Sequence, residues 1–191
     1  MKSLCVFCGS STGSSPVYGE AARHLASALV ERDLTLVFGG GHIGLMGVLA
    51  DTVLTRGGRA IGVIPQALVD RELAYRGCEL RIVGSMHERK ALMAEISDGF
   101  IALPGGFGTL DELFEILTWA QLGIHSKPIG LLNVASYYDR LLSWVEQSAR
   151  EQFVTAHDRA LLISETEPDR LLDRLIEWRH STPAVLKPVR P

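Results

Sequence analysis

Two stretches of the chain place chemically capable side chains where ordinary packing would not. In "DGFIALPGGFGTLDELFEILTWAQLG", Asp98 to Gly123, an apolar run meets Gly105, Gly106 and Gly108, then Thr109 and a helical pattern opening with acid. Glycines so close together cost backbone entropy, which leaves a tight turn or the close approach of a ligand as reasons for them. At about 100° per residue, Glu112 projects between Ile116 and Trp119, at the border of the apolar stripe, with Glu115 one turn on. A carboxylate at the buried edge of a helix beside Gly-rich turns is a candidate catalytic group. A second reading stays open. Thr109-x-x-Glu112 also fits a capping box, in which Glu112 would accept from the Thr109 N–H.

The other stretch is "MHERKALMAEIS". The same projection puts Arg89 inside the arc of Met86, Leu92, Met93 and Ile96, with Lys90 at its edge. Basic residues belong on the wet face of a surface helix. Either the long stems snorkel to solvent, or the pair aims inward at a ligand, and the start of this helix at a strand end favours the latter. An arginine fork suits a phosphate or a carboxylate.

Three strand-to-helix turns carry small residues: Gly9-Ser10-Ser11, Gly39-Gly40-Gly41 with Gly44, and Gly105-Gly106 with Gly108-Thr109. Helix N-termini present unpaired N–H groups and partial positive charge, so two such turns facing one crevice make a phosphate site. Gly9, Ser10, Gly40, Gly41 and Gly44 are therefore candidate binding positions, beside those of the third turn. For the second cluster, close helix–sheet packing competes on equal terms. Its G-x-G-x-x-G lacks the acid about twenty residues on that a dinucleotide fold requires, since the next strand ends "GVIPQ". No P-loop lysine follows. Neither a G-x-S-x-G turn nor a Cys/His arrangement supports acyl transfer.

These residues need a scaffold, and the chain alternates apolar bursts with amphipathic helices. Strands are expected at "SLCVFCG", "LTLVFGGG", "RAIGVIP", "LRIVGS", "GFIALPGG", "KPIGLLN" and "ALLISE". The helices between begin at Pro16 behind an N-cap Ser15, near Leu45, at Met86, at Thr109, near Ser136 and at "PDRLLDRLIEWRH". The connection "QALVDRELAYRGCE" is irregular and longer than most, which marks loops that carry function. Short apolar strands alternating with helices predict an α/β, Rossmann-like, three-layer α/β/α domain with a mostly parallel sheet, spanning residues 1–191 with a Pro-rich tail. Ligands in such folds sit beyond the carboxyl ends of the strands, and every Gly-rich stretch falls on that rim.

At 191 residues, with 47% hydrophobic and 21% charged residues, the chain fits one packed domain. A net charge of -3 argues against nucleic-acid binding through bulk electrostatics. No apolar run approaches the roughly eighteen residues that span a bilayer, so a cytoplasmic protein without a membrane partner is expected. Three cysteines make no disulfide framework. Cys5 and Cys8 sit in a strand pattern, where residues three apart face opposite ways, so buried thiols are expected rather than a metal or redox pair. No metal site is expected.

Taken together, "CVFCGSS", "GGGHIGLMG", "GVIP", "MHERK", "PGGFGTLDE" and "TWAQLGIHSKPIGLLN" cover most of the chain, and the sequence resembles the Lonely Guy family of cytokinin riboside 5′-monophosphate phosphoribohydrolases. The resemblance implies a homodimer, without a cofactor, that hydrolyses the N-glycosidic bond of a nucleoside 5′-monophosphate to an adenine-type base and ribose 5-phosphate. It implies that Arg89 and Glu112 are the catalytic pair. It implies substrate binding by Glu72, Lys90, the run Gly106, Phe107, Gly108, Thr109, Leu110 and Asp111, and Thr118. Asp111 replaces a frequent glutamate of the family, and Phe107 a frequent tyrosine. Two alternatives stand beside this reading: a broader AMP nucleosidase, and a carrier of a phosphorylated cofactor resembling molybdenum-cofactor carriers.

Overall fold

Alternating apolar side chains build a sheet whose two faces feed two separate cores. The computed structural model describes residues 1–71 and 73–178; Glu72 and the Pro-rich tail lie outside them. The elements run β1 (Ser3–Phe7), α1 (Pro16–Glu31), β2 (Thr35–Phe38), α2 (Gly44–Thr55), β3 (Ala60–Pro65), α3 (Gln66–Val69), β4 (Glu79–Val83) and α4 (Met86–Glu95). Then come β5 (Phe100–Ala102), α5 (Phe107–Gln121), β6 (Ile129–Leu132), a 3-10 turn (Val134–Ser136), α6 (Asp139–Arg150), α7 (Ala156–Arg159), β7 (Leu162–Glu165) and α8 (Pro168–Glu177).

The seven strands order as β4-β3-β2-β1-β5-β6-β7, and every pairing among them is parallel. Cys5 pairs with Val37 on one side and Phe100 on the other. Its side chain joins the core of Phe100, Met93 and Leu113, under α4 and α5. Cys8 joins the opposite core, with Leu25, Phe38 and Leu45 under α1 and α2. The two thiols thus face opposite ways, as the period of a strand demands.

Where helices start decides what the site contains. At α1 the Ser15 Oγ accepts from the Val17 N–H at 3.4 Å and Pro16 occupies the first turn, as expected. Helix α5 starts at Phe107, two residues before the expected Thr109, because Gly106 serves as N-cap. Helix α6 starts at Asp139 and not near Ser136, because Ala135 (φ 49°) and Ser136 (φ 59°) are left-handed. The short α7 was not anticipated. The long connection after β3 is partly ordered: it holds α3 and an antiparallel bridge from Ala74 to Gly41. Strand β4 is an edge strand with Ile82 exposed, unlike the doubly covered strands beside it. No helix among the described residues is long and apolar enough to cross a membrane.

The chain winds outward from β1 to β4, then returns to place β5 against the other side of β1. That reversal is a switch point, where the two flanking connections leave in opposite directions and open a crevice beyond the strand ends. The turns after β1 and β5 meet there: the Gly9 N–H donates to the Pro104 carbonyl at 3.1 Å.

Candidate functional site

Helix α4 is held at its start by a capping arrangement. Ser85 Oγ accepts from the Glu88 N–H at 3.1 Å, and Glu88 Oε2 accepts from the Gly84 N–H at 2.8 Å. This fixes the phase of the helix and turns the next residue, Arg89, inward. Arg89 is 8% exposed; its Nε donates to the Val63 carbonyl at the end of β3 at 3.1 Å. Its Nη1 donates to Glu112 Oε1 at 2.9 Å. Glu112 is equally buried, at 8%. The capping-box reading of Thr109 and Glu112 is thereby replaced, since Gly106 is the cap and Glu112 sits well inside the helix against an arginine.

Gly106 has no side chain to cap α5, so the N–H groups of that first turn are left to whatever enters from outside. A cavity of about 410 Å³ lies over this turn, lined by Gly106 to Thr109 along one side, with Arg89 and Glu112 in its wall. Ser10, Gly39, Met46 and Leu68 also line it. A second cavity of about 280 Å³ adjoins it, lined by Gly9, Ser11, Gly105, Tyr18 and Tyr137, and Ser10 and Gly106 border both. A Cβ added at Gly106 or Gly108 would meet nothing within 4 Å. At these two positions glycine is not demanded by the protein's own packing.

The second glycine cluster behaves differently. Gly40 (φ 72°) packs on Ile64 and the Val63 backbone, and a Cβ on Gly44 (φ 60°) would collide with the backbone of Ser10 and Ser11. Neither residue lines either of these two cavities, nor does Gly41, and close packing gives Gly40 and Gly44 a structural reason of their own. Gly39, by contrast, does line the larger cavity, and a Cβ there would run into the Arg89 guanidinium. Its role was not legible in the G-x-G-x-x-G pattern. Met46 and Leu68 were missed as well, because only the fold brings them into one cavity with Arg89.

Lys90 and Thr118 stand away from the Arg89–Glu112 cavity. Lys90 Nζ lies 3.2 Å from Asp111 Oδ2 and 3.0 Å from Glu115 Oε1. Leu110, Asp111 and Thr118 border a shallow outer groove with Phe107, Phe114 and Trp119. Phe107 reaches both the groove and the cavity and is 92% exposed. Glu72 is outside the described residues, but its neighbours are anchored: the His42 N–H donates to the Leu73 carbonyl and the Tyr75 N–H to the Gly40 carbonyl.

Burial pushes the Glu112 carboxyl above the ordinary range, against the opposing pull of Arg89. For Lys90, burial acts downward, but the Glu115 and Asp111 partners outweigh it and hold the ammonium above its usual value. Burial also raises the Cys5 and Cys8 thiols, which removes them as nucleophiles. The site is therefore a buried cation–carboxylate pair beside a bare helix N-terminus. Such a pair can stabilise a developing positive charge on a ligand whose anionic end rests on the N–H groups.

Residues 46–175 match the family described as "Possible lysine decarboxylase". The chain is 48% identical over 189 residues to the cytokinin riboside 5′-monophosphate phosphoribohydrolase LOG1 of Arabidopsis thaliana, covering 97% of this chain and 89% of that protein. It is 51% identical over 176 residues to LOG4 of the same species, named for the same activity, covering 92% and 82%. The probable phosphoribohydrolase LOGL1 of Oryza sativa subsp. japonica is 50% identical over 179 residues, covering 93% and 80%. Among solved structures, the molybdenum cofactor binding protein of Rippkaea orientalis superimposes with a TM-score of 0.68 at 20% identity, covering 91% of this chain and 94% of that one. At that identity the likeness is one of fold.

Proposed function

The chain belongs to the Lonely Guy family, and on that premise we propose that it hydrolyses the N-glycosidic bond of an adenine-type nucleoside 5′-monophosphate, releasing the base and ribose 5-phosphate. The observation that carries this reading is the buried Arg89–Glu112 pair, 2.9 Å apart, beside the uncapped first turn of α5. The 5′-phosphate rests on the N–H groups from Gly106 to Thr109, which sets the distance from phosphate to C1′. Cleavage makes the ribose oxocarbenium-like, and the fixed Glu112 carboxylate stabilises that charge or orients the attacking water. Arg89 holds the sugar or phosphate and assists departure of the base.

A lysine decarboxylase would need an unprotonated lysine to form a Schiff base. Lys90 is instead an ammonium paired with two carboxylates, and Lys127 caps α4 through the Ala94 and Glu95 carbonyls at 2.7 and 3.3 Å. A carrier of a phosphorylated cofactor would use the bare turn but has no task for a buried carboxylate beside it. Homodimerisation belongs to the proposal: a second copy covering the exposed groove of Phe107, Phe114 and Trp119 would set Asp111 and Thr118, which border that groove, against the partner. The enzyme works in the cytoplasm, in keeping with its free cysteines Cys5, Cys8 and Cys78.

The test is base release from AMP and from isopentenyladenosine 5′-monophosphate, each beside its unphosphorylated nucleoside. Base from the nucleotides alone is the expected result, and the faster nucleotide identifies the preferred substrate. Absence of release from either nucleotide overturns the proposal. Equal rates with the nucleosides overturn the phosphate cradle.

A further inference from the structure

Three successive carbonyls at the end of β5 are each tied from outside. The Leu103 carbonyl accepts from Tyr138 Oη at 2.6 Å, the Pro104 carbonyl from the Gly9 N–H at 3.1 Å, and the Gly105 carbonyl from Tyr137 Oη at 2.6 Å. All peptides here are trans. In a planar trans peptide the C=O and N–H point opposite ways, so fixing a carbonyl also aims the next residue's N–H. Tyr137 lines the smaller cavity together with Gly105 and Gly106. The Gly106 N–H is thereby turned away from Tyr137, and Gly106 also borders the larger cavity with Arg89 and Glu112.

The segment that delivers Tyr137 is unusual. Ala135 and Ser136 are consecutive non-glycine residues at φ 49° and 59°, a conformation that persists only when the surroundings enforce it. Enforcement comes from Asn133, which is 7% exposed. Its Oδ1 accepts from the Tyr138 N–H and its Nδ2 donates to Asp139 Oδ1, both at 2.7 Å. The Tyr137 ring is also wedged edge-on between Tyr18 and Tyr138, with centroids 5.8 and 4.9 Å away. A regular helix start at Ser136 would not place two tyrosine hydroxyls on one strand end.

We propose that Tyr137 is a positioning residue: its hydroxyl fixes the Gly105–Gly106 peptide so that the Gly106 N–H faces the 5′-phosphate of the substrate. The proposal rests on the hydrolase reading given above. Tyr138 supplies an internal contrast. Its hydroxyl holds the Leu103 carbonyl, and that peptide ends in Pro104, which has no N–H to aim. Tyr138, buried at 2% exposure, should matter for stability and not for phosphate binding.

The experiment compares the wild type with Tyr137→Phe and Tyr138→Phe, using steady-state kinetics on the preferred nucleotide and calorimetric binding of ribose 5-phosphate. For Tyr137→Phe, KM should rise and ribose 5-phosphate affinity fall by about tenfold, with kcat within about threefold of wild type. Tyr138→Phe should keep both binding constants within about twofold while lowering the melting temperature more than Tyr137→Phe does. The proposal is overturned if Tyr137→Phe leaves both binding constants within twofold, or if Tyr138→Phe weakens them equally. A wild type that binds ribose 5-phosphate but releases no base removes the hydrolase reading alone, and the two binding constants still judge Tyr137. A wild type that does neither removes both.

Discussion

The turn from β2 into α2 and the turn from β5 into α5 are built alike: each leaves a buried strand, passes through glycines and enters a helix without a side-chain cap. Their glycines answer different needs. At Gly44 a Cβ would strike the backbone of Ser10, and φ is 60°; at Gly40 φ is 72° and Ile64 stands 3.0 Å from where a Cβ would be. At Gly106 and Gly108 a Cβ would enter open space. The first turn is also roofed by the chain itself, through the hydrogen bonds from His42 to Leu73 and from Tyr75 to Gly40. The second lies at the switch point between β1 and β5, and its Gly106 and Gly108 border the cavity that opens there. The obstruction at Gly40 and Gly44 answers to chain-on-chain packing, as it does at Gly105 against Thr109, whereas the room at Gly106 and Gly108 suits something that arrives from solution.

If that division holds, activity and stability should separate between the two turns. The largest effect belongs to Glu112→Gln, which keeps the size of the side chain and its ability to accept from Arg89 but removes the charge. Turnover should fall by roughly three orders of magnitude, while ribose 5-phosphate binding stays measurable. A Gln variant with wild-type turnover would reduce Glu112 to a structural partner of Arg89. Next comes Gly44→Ala. Left-handed strain and the collision with Ser10 should cost about 2 kcal/mol or more, which for a chain of this size lowers the melting temperature by roughly 6 °C. Its kcat, measured well below the melting transition, should stay near wild type.

The smaller counterpart is Gly108→Ala. A methyl group there meets no protein atom but stands where the phosphate approaches, so KM should rise by about threefold to tenfold with the melting temperature nearly unchanged. Should Gly108→Ala unfold the protein and Gly44→Ala abolish binding, the assignment of the two turns is reversed.

How far the sequence alone reaches follows from the same contrast. Arg89 and Glu112 were legible because each breaks the amphipathic pattern of its own helix, and a charge on an apolar face asks for a partner. Their ion pair was not, since the competing cap at Thr109 could be rejected only once α5 was seen to begin at Phe107 with Gly106 as its cap. The strand order was hidden, and with it the reason the turns after β1 and β5 meet while the turn after β2 is roofed. Gly39 was legible as a turn residue and not as the space for the Arg89 guanidinium. Tyr137 gave no signal at all: helix propensity carries through Ser136, and two left-handed residues without glycine or asparagine have no pattern to announce them. The family and the fold class were within reach because they depend on many positions together, whereas these contacts depend on one.

The smallest expected effect concerns the charge of Glu112 in the resting protein. Burial holds this carboxyl above the usual glutamate value, so the folded state takes up its proton more readily than the unfolded state does. For a group displaced upward, the stabilising contribution is complete below the unfolded value, about 4.3 for glutamate, and is lost as pH rises through the folded value. Gln has no such dependence. The melting temperature of Glu112→Gln should therefore gain on that of the wild type as pH rises across this window and level off above it. In the same window, turnover by the wild type should climb along an acid limb whose midpoint lies above the usual glutamate value, because the carboxylate is the working form. Parallel melting curves on both sides of the window would mean that Arg89 cancels the effect of burial. A wild type that gains on Glu112→Gln would mean that the ion pair wins outright, with the acid limb then displaced below the usual value.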